Sequence, residues 1–246
     1  MRKLYRGIWA DRLEVGEELP IGGSIFHDEL TIKLVLDFDS FNADLENYRS
    51  PEKVSGFYHK NREGVENWLA KINPQIDPYL FFVLNSVQNK VQSIMKIDSA
   101  NLASKELERL TRFSNDKVKL TDLKGMAMCA EQAALGKYLL QHVFQEGYSS
   151  AYMSGVTAER PQSESGNHSF IVVKNPNSKT YIFDVARPRS QHNLPRILET
   201  DAPFNYEQFD GTENLLVGAT EVLQGGRLYF GVGNPMLMED PVVLQC

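Results

Sequence analysis

The hydrophobic period of this chain switches from helical to alternating near residue 150, and that change limits the folds open to it. From Val65 to about Gln145 the apolar residues recur at helical spacing, and from Tyr152 to Val185 they recur at every second position. Val65, Trp68, Leu69 and Ile72 form one helical stripe, which Pro74 and Pro78 interrupt. A long helix is expected over 79–97, where Leu80, Val83, Leu84, Val87, Val91 and Ile94 line one side. A short helix is expected over 104–112, and another over 129–145, rich in Ala, Leu and Gln and stopped by Gly147. Strands are then expected over 152–156, 169–173 and 180–185, the last two joined by a hairpin turn at Asn175-Pro176-Asn177-Ser178. The first fifty residues read as turns and short strands, with a buried strand through Ile32, Leu34, Leu36 and Phe38. The polar 160–167 stretch reads as a mobile loop, and the tail past Arg187 as irregular up to a strand over 227–232. Helices followed by antiparallel strands, without an internal repeat, give an α+β fold.

Composition removes several function classes. The chain has 246 residues, 42% of them hydrophobic and 24% charged, which is enough apolar material for a packed core. Its net charge of −6 argues against a broad nucleic-acid surface, which leaves a basic footprint. No run approaches the roughly 20 apolar residues that span a bilayer, so no membrane partner is expected. The start, Met1-Arg2-Lys3-Leu4-Tyr5-Arg6, lacks the apolar segment of a signal peptide. A cytoplasmic protein is therefore expected; export as an effector by a specialised system would leave no readable mark. With only 2 cysteines, neither a disulfide framework nor a multi-thiolate zinc site can be built. His27, His59, His142 and His192 show no ligand spacing, so no metal and no cofactor is expected. What stands out is one internal cysteine, Cys129.

Three residues of the second half sit at the ends of expected elements. Cys129 opens its helix, His168 opens the strand His168-Ser169-Phe170-Ile171-Val172-Val173, and Asp184 closes the strand Tyr181-Ile182-Phe183-Asp184. A cysteine is nucleophilic only as thiolate, and a helix N-terminus favours an anion. A neighbouring imidazolium stabilises that thiolate directly, and a carboxylate beyond the ring fixes the imidazole's tautomer. If the two strands form a hairpin, the start of one lies beside the end of the other. Laying the Cys129 helix on that sheet would then carry the thiol to the imidazole. Singly, each residue has a plainer reading: a core cysteine, a surface histidine, a turn-forming aspartate. In this order and spacing the three point to a nucleophilic centre.

Through these residues the sequence resembles the transglutaminase-like superfamily of papain-type folds. The likeness rests on Cys129 with Ala130, Glu131 and Ala133, on His168 with Phe170, and on Phe183-Asp184. The spacings are 39 residues (168 − 129) and 16 (184 − 168), and the likeness covers roughly 120–190. It departs at Ala127, where the pattern has Gly, at Phe170, where Trp is commoner, and at Val185, where Pro follows the aspartate. The resemblance implies a papain-like catalytic core over 120–246 with a C-terminal extension, its cysteine at a helix N-terminus packed on an antiparallel sheet. Residues 1–119 would then be a mixed, largely helical region that docks substrate or forms a lid.

The implied activity is acyl transfer at an amide of a protein or peptide substrate, as a glutamine deamidase or peptidase in the style of bacterial effector deamidases. Transglutaminase cross-linking is one alternative. Another is acyl transfer like that of the arylamine acetyltransferases, which share Cys129-Ala130-Glu131. A non-catalytic binding protein of the same fold is the third. The backbone N–H of Cys129 is the implied first oxyanion donor. Gln88 or Gln92 of the helical block is a candidate for the second, with Glu131 and Asn167 as neighbours of the triad. The 157–167 loop, just before His168, is a candidate gate over the cleft.

Overall fold

Ser50-Pro51-Glu52 is a complete helix start. The Ser50 hydroxyl accepts the Lys53 N–H at 3.3 Å. Pro51 takes the first helical position, where a missing N–H costs nothing, and Glu52 meets the positive end of the helix dipole. Helix α1 therefore spans Pro51–Ile72, beginning well before the apolar stripe at Val65. The computed structural model describes residues 4–22, 31–72, 76–96, 117–157, 168–186, 196–199 and 227–230. The helix expected over 104–112, the loop over 160–167 and most of the tail lie outside the described residues.

Helix α2 (Pro78–Met95) starts at Asp77, whose Oδ1 accepts the N–H groups of Tyr79 and Leu80 at 2.9 and 3.2 Å. Its other carboxylate oxygen accepts the Tyr148 hydroxyl, which ties this cap to the chain beyond the third helix. α2 is buried from Tyr79 through Gln88, as expected of a helix that is apolar on most sides. Helix α3 spans Cys129–Val143 and runs antiparallel to α2. At one end Gly125 N–H donates to the Met95 carbonyl at 2.6 Å, and at the other the Tyr79 hydroxyl donates to the Val143 carbonyl at 3.3 Å.

The strands fall into two sheets. β2 (Glu18–Gly22), β3 (Thr31–Val35) and β4 (Lys117–Lys119) make a mixed three-stranded sheet. The strand expected to continue to Phe38 stops at Val35. Asp37 leaves the pleat to accept the Thr121 N–H at 3.2 Å, and Phe38–Phe41 coils into a 3-10 turn with both phenylalanines buried. The second sheet is antiparallel throughout. Its strands are β1 (Leu4–Ala10), β5 (Ser149–Thr157), β6 (His168–Lys174), β7 (Thr180–Asp184), β8 (Arg196–Glu199) and β9 (Arg227–Phe230), and that is also their spatial order. β8 falls in the tail read as irregular, because four residues are too few to show an alternation. The fold is α+β.

One core joins the whole. It runs from Leu34 and Leu36 through Val65 and Leu69 of α1, along α2, through Leu135, Leu139 and Leu140 of α3, to Tyr152, Ile171, Val173 and Phe183 of the antiparallel sheet. This core crosses the division expected near residue 119, and β1 adds a strand from the N-terminal part to the C-terminal sheet.

α3 approaches the sheet closely at Gly136. A Cβ built there would lie 3.0 Å from Ile171 Cδ1 and 3.6 Å from Val185 Cγ1. Replacement of Gly136 by valine is therefore expected to destabilise the protein by about 1–3 kcal/mol through overpacking, read from the midpoint of a urea melt. The contact also fixes which face of the sheet is covered: Ile171, Val173, Phe183 and Val185 face the helices. Among the described residues no helix is long and apolar enough to cross a membrane.

Candidate functional site

The backbone leading into Cys129 is held by its own helix. Gly125 turns the chain at φ +82°, a conformation that side-chain-bearing residues rarely adopt. Met126 and Ala127 are buried, and Met128 is extended (φ −99°, ψ −164°) as the N-cap of α3. Glu131 Oε2 accepts the Met128 N–H at 2.7 Å, and Gln132 Nε2 donates to the Ala127 carbonyl at 3.1 Å. Both side chains are buried. Cys129 follows as the first residue of the helix, a half-buried thiol.

Magnitudes decide what this helix start can do for a thiolate. The N-terminal end of a helix is equivalent to about +0.5 of an elementary charge. The buried Glu131 side chain, two residues along, already takes up the Met128 N–H at this helix start. A half-charge of this kind lowers a thiol pKa only modestly, so strong thiolate stabilisation at Cys129 requires a cation brought in from elsewhere. An imidazolium is the group that the sequence offers.

Position 168 opens β6 and position 184 closes β7 at one end of the antiparallel sheet. Gly136 sits over Ile171 and Val185, while Leu140, Gln141 and Phe144 reach the start of β5 and the end of β6 around Ser149 and Lys174. The N-terminus of α3 therefore points toward the start of β6 and the end of β7. Cys129 lies seven residues before Gly136, about 10 Å at 1.5 Å per residue. Position 168 lies three residues before Ile171, also about 10 Å at 3.3 Å per residue. The pairings Ile171 with Phe183 and Val172 with Ile182, continued one step, set Phe170 opposite Asp184. Positions 168 and 184 are then diagonal neighbours on adjacent strands, a relation that spans roughly 7–8 Å.

Asp184 is 1% exposed; Phe183 and Val185 on either side of it belong to the core beneath α3, so Asp184 turns to the opposite face of the sheet.

The remaining candidates are scattered. Gln88 is fully buried in α2, and its amide has no hydrogen-bond partner among the described residues. Gln92 is half-buried, and its carbonyl accepts the Lys96 N–H at the end of α2. The antiparallel packing sets Gln92 about level with Cys129 and Gln88 about one turn deeper. Asn167 and Cys246 lie outside the described residues. Among the described residues no group of three His, Cys, Asp or Glu side chains is placed to hold a metal.

Two side chains of α3 escaped the sequence reading. Gln132 holds the Cys129 approach, and its only sign is its spacing from the cysteine, three residues on. Lys137 lies on the buried side among Ala133, Ala134, Leu140 and Val143, where a charged residue on an apolar stripe is a readable anomaly. No protein-family model matches the sequence, and no curated protein or solved structure matches it either.

Proposed function

We propose that the protein is a cysteine-dependent acyl-transfer enzyme acting on amide bonds of protein or peptide substrates, as a glutamine deamidase or peptidase. Cys129 is the nucleophile, His168 the proton carrier and Asp184 the carboxylate that orients it. The observation that carries this reading is the position of Cys129. It is the first residue of a well-capped helix whose N-terminus points to the sheet end where β6 begins and β7 closes.

In the proposed reaction the Cys129 thiolate adds to the amide carbonyl. Backbone N–H groups of the first turn of α3 receive the oxyanion. The His168 imidazolium gives its proton to the departing nitrogen, and ammonia or an amine leaves a thioester behind. Water then attacks the thioester as the imidazole takes its proton, which releases the carboxylate product and restores the thiol. A reduced, reactive thiol suits a compartment such as the cytoplasm.

Alkylation by iodoacetamide across pH tests this reading without a known substrate. Thiols paired with histidine at helix starts titrate well below the free value of about 8.5. A fall to about 6 would raise the thiolate fraction at pH 6.5 by roughly 75-fold. Lower intrinsic nucleophilicity takes back about tenfold. Cys129 is therefore expected to react about five- to tenfold faster than Cys246 at pH 6.5, and His168→Ala should erase the difference. An ordinary thiol profile at Cys129, unchanged in His168→Ala, would overturn the proposal.

A further inference from the structure

The C-terminal half of α3 carries a buried cation that the proposed chemistry does not use. Lys137 is 1% exposed. Its ammonium donates to Gln141 Oε1 at 3.1 Å, and no carboxylate among the described residues forms an ion pair with it. Gln141 is already engaged, because its Nε2 donates to the Leu13 carbonyl at 2.8 Å and its Oε1 accepts the Leu13 N–H at 3.1 Å. That pair of bonds pins the loop after β1 against α3. An ammonium has three protons to donate, so a single neutral acceptor leaves two of them for other groups. Buried charges are ordinarily paired, since removal from water costs several kcal/mol per ion.

Lys137 lines a cavity of about 360 Å³ between α3, the loop after β1, the start of β5 and the end of β6. That size is in the range of small-molecule sites. Lys174 adds a second cation and Asp11 one anion to the lining. Arg12 beside it is occupied by Glu14 at 2.5 Å. The lining is thus positive in a chain whose net charge is −6. Ser150 also lines the cavity, and its buried hydroxyl has no hydrogen-bond partner among the described residues. Leu140 and Phe144 of α3 supply an apolar wall.

We propose that this cavity binds a small organic oxyanion, a carboxylate or phosphate group carried on an apolar body. Lys137 takes the charged group, Ser150 donates to it, and Leu140 and Phe144 pack on the rest. The site lies eight residues along α3 from Cys129, about 12 Å, and does not depend on the acyl-transfer reading. Burial lowers the Lys137 pKa to about 8, with Asp11 acting to raise it and Arg12 to lower it. Anion binding favours the charged ammonium, so affinity should hold up to about pH 8 and then fall by up to tenfold per pH unit.

Titration calorimetry and NMR of the full chain test the proposal with benzoate and phenyl phosphate as probes, and acetate and inorganic phosphate as head groups alone. The expected result is saturable binding of at least one aromatic probe, tighter than that of its head group. Whether benzoate or phenyl phosphate binds more tightly identifies the group the site prefers. Lys137→Met should weaken that binding at least tenfold and Ser150→Ala severalfold, while Cys129→Ala leaves it unchanged. A thermal melt of each variant confirms that it is folded, and a probe-induced rise in Tm seen in the unaltered protein and absent from Lys137→Met is a second readout. The proposal is overturned if no probe binds at millimolar concentration, or if Lys137→Met binds as tightly as the unaltered chain.

Discussion

Raising the pH from 7.5 to 9.5 should stabilise the protein by about 2 kcal/mol, toward a limit of about 3 kcal/mol. The source is Lys137, whose pKa burial lowers from 10.5 to about 8. The sign follows from proton counts. Between those two values the unfolded chain holds a proton on Lys137 that the folded chain has released, so stability rises with pH. Below about 8 both states are charged, and the folded state carries the whole burial penalty. Tyrosines set the upper edge. Burial raises the pKa of Tyr79 to about 12, with Asp77 adding to it, and burial likewise raises Tyr148 and Tyr181 from the ordinary 10.0. Their unfolded counterparts ionise first, so stability falls again above about pH 10. The profile should therefore peak between about pH 9 and 10, above the usual range for proteins. Urea melts at pH 7.5, 8.5 and 9.5 would show the rising limb, and Lys137→Met should flatten it while raising stability at pH 7.5. Parallel profiles for the two proteins would remove Lys137 as the cause.

What the sequence made legible depends on where each signal resides. α2 was readable because it is buried nearly all round and its apolar residues recur without a gap. The first half of α1 was not, since the exposed Lys60, Asn61, Arg62, Glu63 and Gly64 separate Val54, Phe57 and Tyr58 from the stripe that begins at Val65. Its start was written instead in Ser50-Pro51-Glu52. β1 is a strand by virtue of its partner, which lies on the far side of the chain at residues 152–157. Nothing in the local sequence marks Asp37 for burial. It is 9% exposed because Thr121, 84 residues away, satisfies its carboxylate. Local pattern cannot supply a contact of that separation.

The candidate site divides in the same way. Strand order and helix spacing indicated which element ends Cys129, His168 and Asp184 occupy. They could not indicate which face of the sheet α3 covers. Phe170, Ile171, Val172 and Val173 are all buried, so both faces of β6 are apolar, and alternation alone does not say which one a helix covers. Gly136 decides it, through a close approach to Ile171 that only the folded chain reveals.

Alanine at Cys129 or at His168 should each lower conversion of a glutamine-bearing protein substrate by roughly 10⁴- to 10⁶-fold, and the double variant should be no worse than the more severe single one. Such non-additivity is the mark of groups that act as one unit, and mass spectrometry of glutamine-to-glutamate conversion in candidate proteins reads it directly. Retained conversion in Cys129→Ala would remove the thiol from the mechanism, and effects that multiply would separate the imidazole from it. Asp184→Asn preserves shape but loses the charge and replaces one acceptor oxygen with a donor. Its effect should be about one to two orders of magnitude milder, because an orienting carboxylate contributes less than the nucleophile or the base. This variant also tests the orienting role of Asp184. If its carboxylate partners the imidazole, its removal should shift the alkylation profile of Cys129 toward higher pH, since the imidazolium loses its partner. A buried aspartate with a purely structural role would instead lower the unfolding free energy and leave that profile in place. The expected result is the shift.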